Sequence, residues 1–445
     1  MIDKFLAKIR TSLNEYIVSK GIRTVFIAYS GGQDSTVLLH TLPKLDLGIE
    51  IKAIHINHLI QEESFTWERH CKKNCDNLGI DLIIKKASLD IKSPGGTEAQ
   101  ARVARYLSFS QIISKNQLLV TAHHADDQLE TFLLRLLRGS GVKGLRGILA
   151  FNAFGNGYLA RPFLNITKSE ICIISQYLKL DWIEDISNKD ISFDRNYLRH
   201  KILPQVYKRW PSAQIVTTRA SEKMVEAESL LNTLAKIDSD RIINKNKIPI
   251  DFITGYDKSR SRNLLRSLIS DLGLPVPSSS QLEALLDSLL ILRNDAKTQV
   301  NWKGAEARIF KGNLYLFKPM ESLSSFKNEE CLSREKTWIS PCGDLSLEVT
   351  LGSGLPDSWI NEGLHVRFRK GGEKLIILNS THHKTLKNLF HSKSIVPWMR
   401  DKIPLIYYKG QLVAVADLWL SDRINSEKKD DIFWKINWSN HPSIY

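Results

Sequence analysis

A chain of 445 residues is longer than one compact core supports, so two or three domains are expected. Hydrophobic residues at 42% and charged residues at 25% are ordinary for a folded protein and exclude wholesale disorder. The formal charge of +14 points to a polyanion as partner, nucleic acid first, although charge alone does not separate DNA, RNA and anionic lipid.

Residues 1–21 place apolar side chains at helical spacing with Lys and Arg between them. They contain no apolar run long enough for a signal peptide or a bilayer span, so a cytoplasmic protein is expected. A strand–helix rhythm follows. Strands are predicted at Thr24–Tyr29, Ile51–Ile56, Leu82–Lys85 and Leu118–Ala122, and helices at Asp34–Leu42, 63–78, 97–114 and 126–138. Short apolar strands alternating with amphipathic helices imply an α/β domain, a doubly wound parallel sheet covered on both faces, over residues 1–211. Ligands of such sheets bind where strands end and helices begin.

From residue 212 the pattern becomes mostly helical. Ser221–Lys236, Arg260–Leu272 and Ser280–Leu292 read as helices, and Val300–Lys318 alternates like a hairpin, which makes 212–325 a helical substrate-binding domain. The polar stretch 326–344 reads as a linker. Residues 345–445 mix short strands with one helical pattern near Lys384–His391 and read as a small α+β domain. The five cysteines, Cys71, Cys75, Cys172, Cys331 and Cys342, are too few and too scattered for a disulfide framework and form no CxxC pair, so they read as plain thiols.

The strongest local signal is Ser30-Gly31-Gly32-Gln33-Asp34-Ser35, directly after a strand and opening a helix. Two glycines allow a tight turn, the helix N-terminus carries partial positive charge, and both serines donate hydrogen bonds, a combination suited to phosphate. The lysine of GxxxxGK[ST] is missing, so this is not a Walker A loop. Asp34 would repel phosphate unless a Mg²⁺ ion bridged them. A second cluster, His123-His124-Ala125-Asp126-Asp127-Gln128-Leu129-Glu130-Thr131, leaves the strand at 118–122 and enters a helix. Carboxylates and imidazoles gathered at one strand end can bind Mg²⁺, bind an amine or take a proton. Arg138–Leu145 (RGSGVKGL) follows as a basic, glycine-rich loop, then Arg161-Pro162, then Glu184–Asn188 (EDISN) running toward Arg195-Asn196-Tyr197-Leu198-Arg199.

The loop S-G-G-x-D-S resembles the PP-loop of the N-type ATP pyrophosphatases. In the order SGGxDS, HHxDDQxET, RGSGxxGL, RP and EDxSNxDxxxxRNxLR, the motifs resemble the tRNA(Ile)-lysidine synthetase family, and Leu364–Arg369, Lys384–Phe390, Val396-Pro397-Trp398 and Ile403-Pro404-Leu405 are similar to that family's C-terminal domain. Two places depart from it: Leu59, after His55-Ile56-Asn57-His58, stands where a glycine is usual, and Lys370–Lys374 matches only approximately.

The resemblance implies that ATP adenylates C2–O of the wobble cytidine in the CAU anticodon of an isoleucine tRNA, after which the lysine ε-amine displaces AMP. It further implies that Ser30, Gly31, Gly32, Gln33 and Ser35 hold phosphate, and that Asp34 and Asp127 share Mg²⁺. Glu130 or Asp126 would hold the lysine ammonium, His123 is the candidate base, and Arg195 and Arg199 contact ATP or tRNA. Arg102 and Arg105, three apart on one helix, either reach phosphate or form a solvated pair. Arg367, Arg369, Lys370, Lys374, His382, His383, Lys384, Lys387, Arg400 and Lys402 read as a tRNA clamp. Trp398 is either a stacking platform or, the favoured reading, core. A homodimer is expected from relatives. A cytidine thiolase would need CxxC pairs, and an ammonia-dependent synthetase would leave the basic C-terminal domain without a purpose. A non-catalytic RNA-binding protein would not need Asp34, Asp127 and Glu130.

Overall fold

The computed structural model of the chain describes all residues except 58–63, 87–96, 185–189, 292–298, 321–322, 324–328, 351–353, 381, 428–431 and 443. His58, Leu59 and most of the EDISN motif therefore lie outside the described residues. The chain divides into two compact units, Met1–Leu230 and Leu231–Tyr445. No helix among the described residues is long and apolar enough to cross a membrane.

In the first unit, α1 (Ile2–Lys20) precedes β1 (Thr24–Ala28), α2 (Gln33–Thr41), β2 (Glu50–Asn57), α3 (Ser64–Leu78), β3 (Asp81–Lys86), α4 (Thr97–Ile112), β4 (Gln117–Val120) and α5 (Ala125–Leu137). After these come α6 (Val142–Leu145), the hairpin β5 (Phe151–Phe154) and β6 (Gly157–Ala160), α7 (Lys168–Tyr177), α8 (Asp194–Tyr197), a π-helical turn (Leu198–Ile202) and α9 (Leu203–Arg209). Then α10 (Ala213–Ser239) runs past the division between the units.

The sheet order is β3-β2-β1-β4-β6-β5, parallel except for the edge strand β5. Alternation along β1 divides the apolar side chains between two cores. Val25 and Ile27 pack with α1, α2 and the α3 thiols Cys71 and Cys75, while Phe26 packs with Phe109 and Ile113 on the other face. Both faces being covered explains why β1 reads as a continuous apolar run. Strand order reverses between β1 and β4, so the crevice expected of an open sheet lies at their C-terminal ends. The two motif-bearing loops, after β1 and after β4, both emerge there.

The second unit contains β7 (Ile248–Pro249), α11 (Ile250–Thr254), α12 (Lys258–Asp271), α13 (Ser279–Leu290), β8 (Gln299–Trp302), β9 (Ala305–Phe310) and β10 (Asn313–Phe317). The strands form an antiparallel sheet in the order β7-β10-β9-β8. Further on are β11 (Glu330–Leu332), β12 (Asp344–Thr350), β13 (Leu355–Pro356), α14 (Asp357–Glu362), β14 (Leu364–Arg367), β15 (Lys374–Ile376), β16 (His383–Thr385), α15 (Leu386–Ser392), β17 (Leu405–Tyr408), β18 (Gln411–Val415), β19 (Trp419–Leu420) and β20 (Phe433–Ser439).

Two boundaries differ from expectation. The units part inside α10: Thr218 and Glu228 bond within the first unit, to Leu164 O and Arg146, whereas Asp238 pairs with Arg260 in the second. The stretch read as a linker contains β11, which pairs with β14, and Trp338, which is buried and pairs with Leu345. Its apolar residues come as the separated pairs Cys331-Leu332 and Trp338-Ile339 with a few single ones, too sparse to set a period. Trp398 is core. It stacks on Phe317 at 5.9 Å between ring centroids and meets Tyr315 edge-on at 5.1 Å.

Candidate active site

The phosphate loop is built from the backbone outward. Gly31 has φ +84°, and Gly32 begins α2 without any side-chain cap, which leaves the first-turn amides of that helix to a ligand. Ser30 Oγ and Ser35 Oγ lie 3.0 Å apart, and Ser30 Oγ accepts the Gly32 amide at 3.3 Å. Ile183 N donates to Gly31 O at 2.9 Å, so a residue about 150 positions away braces the turn. Gln33 departs from its expected role. Its amide donates to Ser175 Oγ at 2.8 Å and its oxygen accepts from Cys172 at 3.5 Å, which docks α2 on α7.

The second loop brings its acids onto one imidazole. His124 caps α5, with its amide donating to Asp127 Oδ2 at 3.0 Å. Its Nε2 lies 3.6 Å from Asp34 Oδ2 and 3.5 Å from Asp127 Oδ2, and its Nδ1 lies 3.6 Å from Asp126 Oδ2. Burial acts to lower the His124 pKa, but Asp127, Asp126 and Asp34 outweigh it and raise the pKa to about 10. His123 behaves oppositely. Burial takes it down to about 3 against the pull of Asp127, with Arg161, Arg102 and Arg195 adding to the fall. Its Nδ1 lies 2.8 Å from Thr121 Oγ1. The protonated imidazole of the site is thus His124, and His123 is neutral.

Around this pair the charges are matched. Arg195 bonds Glu130 at 2.6 Å and Asp127 at 2.8 Å, and Arg199 grips both oxygens of Glu130 at 2.7 and 3.0 Å. Glu130 is 1% exposed, so these forks supply the partners that burial of a carboxylate demands. Tyr207 of α9 donates to Asp126 at 2.7 Å, as does the Lys168 amide at 2.8 Å. Lys168 Nζ is paired with Asp34. For Asp34 and Asp127 burial acts upward, but His124 together with Lys168 at the first, and His124 together with Arg195 at the second, hold them below the usual carboxylate range.

Asp34, His123, Asp126, Asp127, Glu130, Arg195 and Arg199 are therefore brought together beyond the C-terminal ends of β1 and β4. Arg102 and Arg105 are exposed on α4. Arg102 lies over the Tyr106 ring at 5.1 Å, close enough for its charge to act on His123, whereas the charge of Arg105 acts on His55. Gln128 holds the backbone of Ile148 through both its amide atoms, and Arg135 binds the carbonyls of Gly144 and Gly147, so the Arg138–Leu145 stretch is a braced turn carrying α6. Lys168 and Tyr207 escaped the sequence reading, and His124 figured in the cluster without a role of its own. The only local trace of Lys168 is the capping box Thr167–Glu170 that starts α7.

Asp34 and Asp127 fit a Mg²⁺ ion by donor chemistry: two hard carboxylates flank a single imidazolium proton beside a phosphate loop. Mg²⁺ typically takes one or two protein carboxylates and completes its shell with phosphate and water.

Three families match along the chain: the PP-loop domain over residues 5–206, the TilS substrate binding domain over 250–315, and the TilS substrate C-terminal domain over 364–438. Over 416 residues the chain is 35% identical to the tRNA(Ile)-lysidine synthase of Coxiella burnetii, covering 92% of each. Identity to the enzyme of that name from Legionella pneumophila (strain Paris) is 35% over 408 residues, 91% of this chain and 93% of the relative. For Serratia proteamaculans it is 34% over 421 residues, covering 94% and 95%. The chain belongs to the tRNA(Ile)-lysidine synthase family. Every site residue above except Tyr207 falls inside the PP-loop match, and membership in that group of ATP pyrophosphatases carries ATP use with it. The thiolase alternative loses its ground further, since Cys71 and Cys75 lie buried in the α3 core.

Proposed function

We propose that this protein joins L-lysine to C2 of the wobble cytidine of the CAU-anticodon isoleucine tRNA, consuming ATP and releasing AMP and pyrophosphate. The observation that carries the reading is the convergence of the SGGxDS loop and the α5 acidic cluster on one crevice, in a chain that matches its family over all three domains. Ser30, Gly31, Gly32 and Ser35 receive the phosphates through α2's first turn and the serine hydroxyls. Asp34 and Asp127 are the ligands for Mg²⁺, which when bound supplies charge neutralisation for the displacement at the α-phosphorus.

The cytidine oxygen attacks that phosphorus, pyrophosphate leaves, and C2 becomes electrophilic. Lysine then needs a neutral ε-amine, although its free pKa is about 10.4. Asp126, a member of the acidic cluster, is the ammonium's partner on entry. With Nε and Nη2 engaged by Glu130 and Asp127, Arg195 and Arg199 offer their Nη1 groups to the lysine carboxylate. Their positive charge also favours loss of the ε-ammonium proton. His123, held by Thr121, accepts the proton released as the C–N bond forms and the C2–O bond to AMP breaks, a role that requires the incoming phosphates to raise its pKa from about 3 toward neutrality. A wobble base in a single-stranded loop is free to be splayed into such a crevice. On this reading the PP-loop domain performs the chemistry, and the substrate-binding and C-terminal domains hold the tRNA. A homodimer and a cytoplasmic location complete the proposal.

The test is pyrophosphate release with Mg²⁺, ATP, unmodified tRNA and each amino acid in turn, followed by mass analysis of the nucleoside. Lysine incorporation into the isoleucine tRNA alone is expected. Pyrophosphate release without lysine transfer would remove the lysine assignment and leave the ATP site standing.

A further inference from the structure

The phosphate loop contains an acid and no base, yet it must receive a highly charged triphosphate. The missing cation arrives from elsewhere in the chain. Lys168 opens α7, and its Nζ rests on Asp34, the acid inside the loop. Its backbone is fixed from two sides: the Lys168 amide donates to Asp126 Oδ2 at 2.8 Å, and the Ala125 amide donates to Ile166 O at 2.9 Å. The Thr167–Glu170 capping box sets the helix start at this residue. Lys168 is thereby held at the seam between the loop after β1 and the loop after β4.

The other cations of the site are committed differently. Arg199 forks onto buried Glu130, Arg195 bridges Glu130 and Asp127, and His124 stands among three carboxylates with its side chain 5% exposed. The Lys168 side chain is 38% exposed and pairs with one carboxylate, Asp34, which is itself a ligand in the proposed metal site. A flexible four-carbon stem lets its ammonium move from that carboxylate to a phosphate oxygen without moving the backbone.

We infer that Lys168 is the phosphate-binding cation of this loop, resting on Asp34 as seen here and passing to the phosphates of ATP when nucleotide and metal bind. This rests on the ATP site proposed above. It gives the crevice a lysine in the electrostatic role of the Walker lysine, supplied from 134 positions downstream.

Titration with a non-hydrolysable ATP analogue, pyrophosphate and adenosine, in Mg²⁺, tests it in full-length protein. Lys168→Met should weaken the analogue and pyrophosphate by about 10- to 100-fold, as expected for a lost charge-assisted contact, and leave adenosine unchanged. Lys168→Arg should restore most of the affinity. Unchanged analogue affinity in folded Lys168→Met, or an equal loss for adenosine, overturns the inference. Failure of the wild type to bind the analogue overturns the ATP site itself. A probe independent of mutant folding is an acyl-phosphate ester of ATP. The ε-amine attacks its acyl carbon, forming an amide and expelling the nucleotide phosphate. Acylation of Lys168 that excess ATP suppresses supports the inference, and acylation only at other lysines refutes it.

Discussion

At the residue scale, Gly31 and His124 carry the most distinctive physics of the site. Gly31 adopts a left-handed backbone, and a Cβ there would come within 3.0 Å of Cys71 Sγ and 3.1 Å of Ile183 Cδ1. Gly31→Ala should cost about 1–2 kcal/mol from backbone strain alone. A steric share adds to this, and adding Cys71→Ala should recover that share. Urea unfolding of the single and double variants measures both, and an additive double-mutant cycle would rule out the contact. His124 makes a separate prediction. Its folded pKa, about 10, stands above the unfolded value of about 6.5. Its contribution to stability is therefore complete below pH 6.5 and is lost as pH rises toward 10. Urea unfolding of the metal-free protein at pH 6, 8 and 10 should show this decline, and His124→Gln should flatten it. Parallel curves for the two proteins would show that the imidazolium is not responsible.

At the scale of elements, α5 is joined to the segment from α8 to α9 by paired charges. Glu130 lies at the centre, taking a two-pronged fork from Arg199 and a single bond from Arg195, which bridges to Asp127. Glu130→Gln would leave two guanidinium groups competing for an amide. The two arginine side chains remain 27% and 36% exposed, so water partly compensates. A loss of ~3 kcal/mol is expected, the low end for breaking a buried pair. Calorimetry of the variant checks it, and an unshifted melting temperature would mean that the forks are replaceable. The order of β1 to β4 and their helices was legible because each short apolar strand meets a helix with a clear period. The SGGxDS loop was legible because glycines and hydroxyls sit at a strand–helix junction. The roles within the cluster were not. Which imidazole is protonated depends on carboxylates from two loops, one of them some 90 positions from His124, and the turning of Gln33 onto α7 depends on Cys172 and Ser175, some 140 positions away. No local spacing encodes contacts of that range.

At the scale of the whole molecule, the second unit is tied together by one hairpin serving two cores. Along β9 and β10, Ala307, Ile309, Leu314 and Leu316 face the α12–α13 core, while Phe310 and Tyr315 enter the C-terminal core beside Trp398. Arg308 lies 5.3 Å from the Trp398 ring centroid, where its charge meets the ring face. The positive charge of the C-terminal segment divides in the same physical way between structure and binding. Arg367 is bonded to Tyr407, Arg369 pairs with Asp401 at 3.0 Å, and Arg400 donates to Ile395 O at 2.9 Å, so these three are committed internally. Lys374, His383 and Lys384 lie exposed on the two-stranded ribbon of β15 and β16, with Lys387 exposed on the following helix. Phosphate contacts release counterions and set the slope of log affinity against log salt, roughly 0.9 per contact on duplex nucleic acid. Replacing Lys374, Lys384 and Lys387 together by alanine should reduce that slope for tRNA by about 2–3. The melting temperature should stay close to wild type, because exposed lysines contribute little to folding. Arg369→Ala or Arg400→Ala should do the reverse, lowering stability with little change in slope. Filter binding across a salt series, paired with thermal melts, separates the two groups. If the triple lysine variant keeps the wild-type slope, the ribbon does not touch the phosphate backbone.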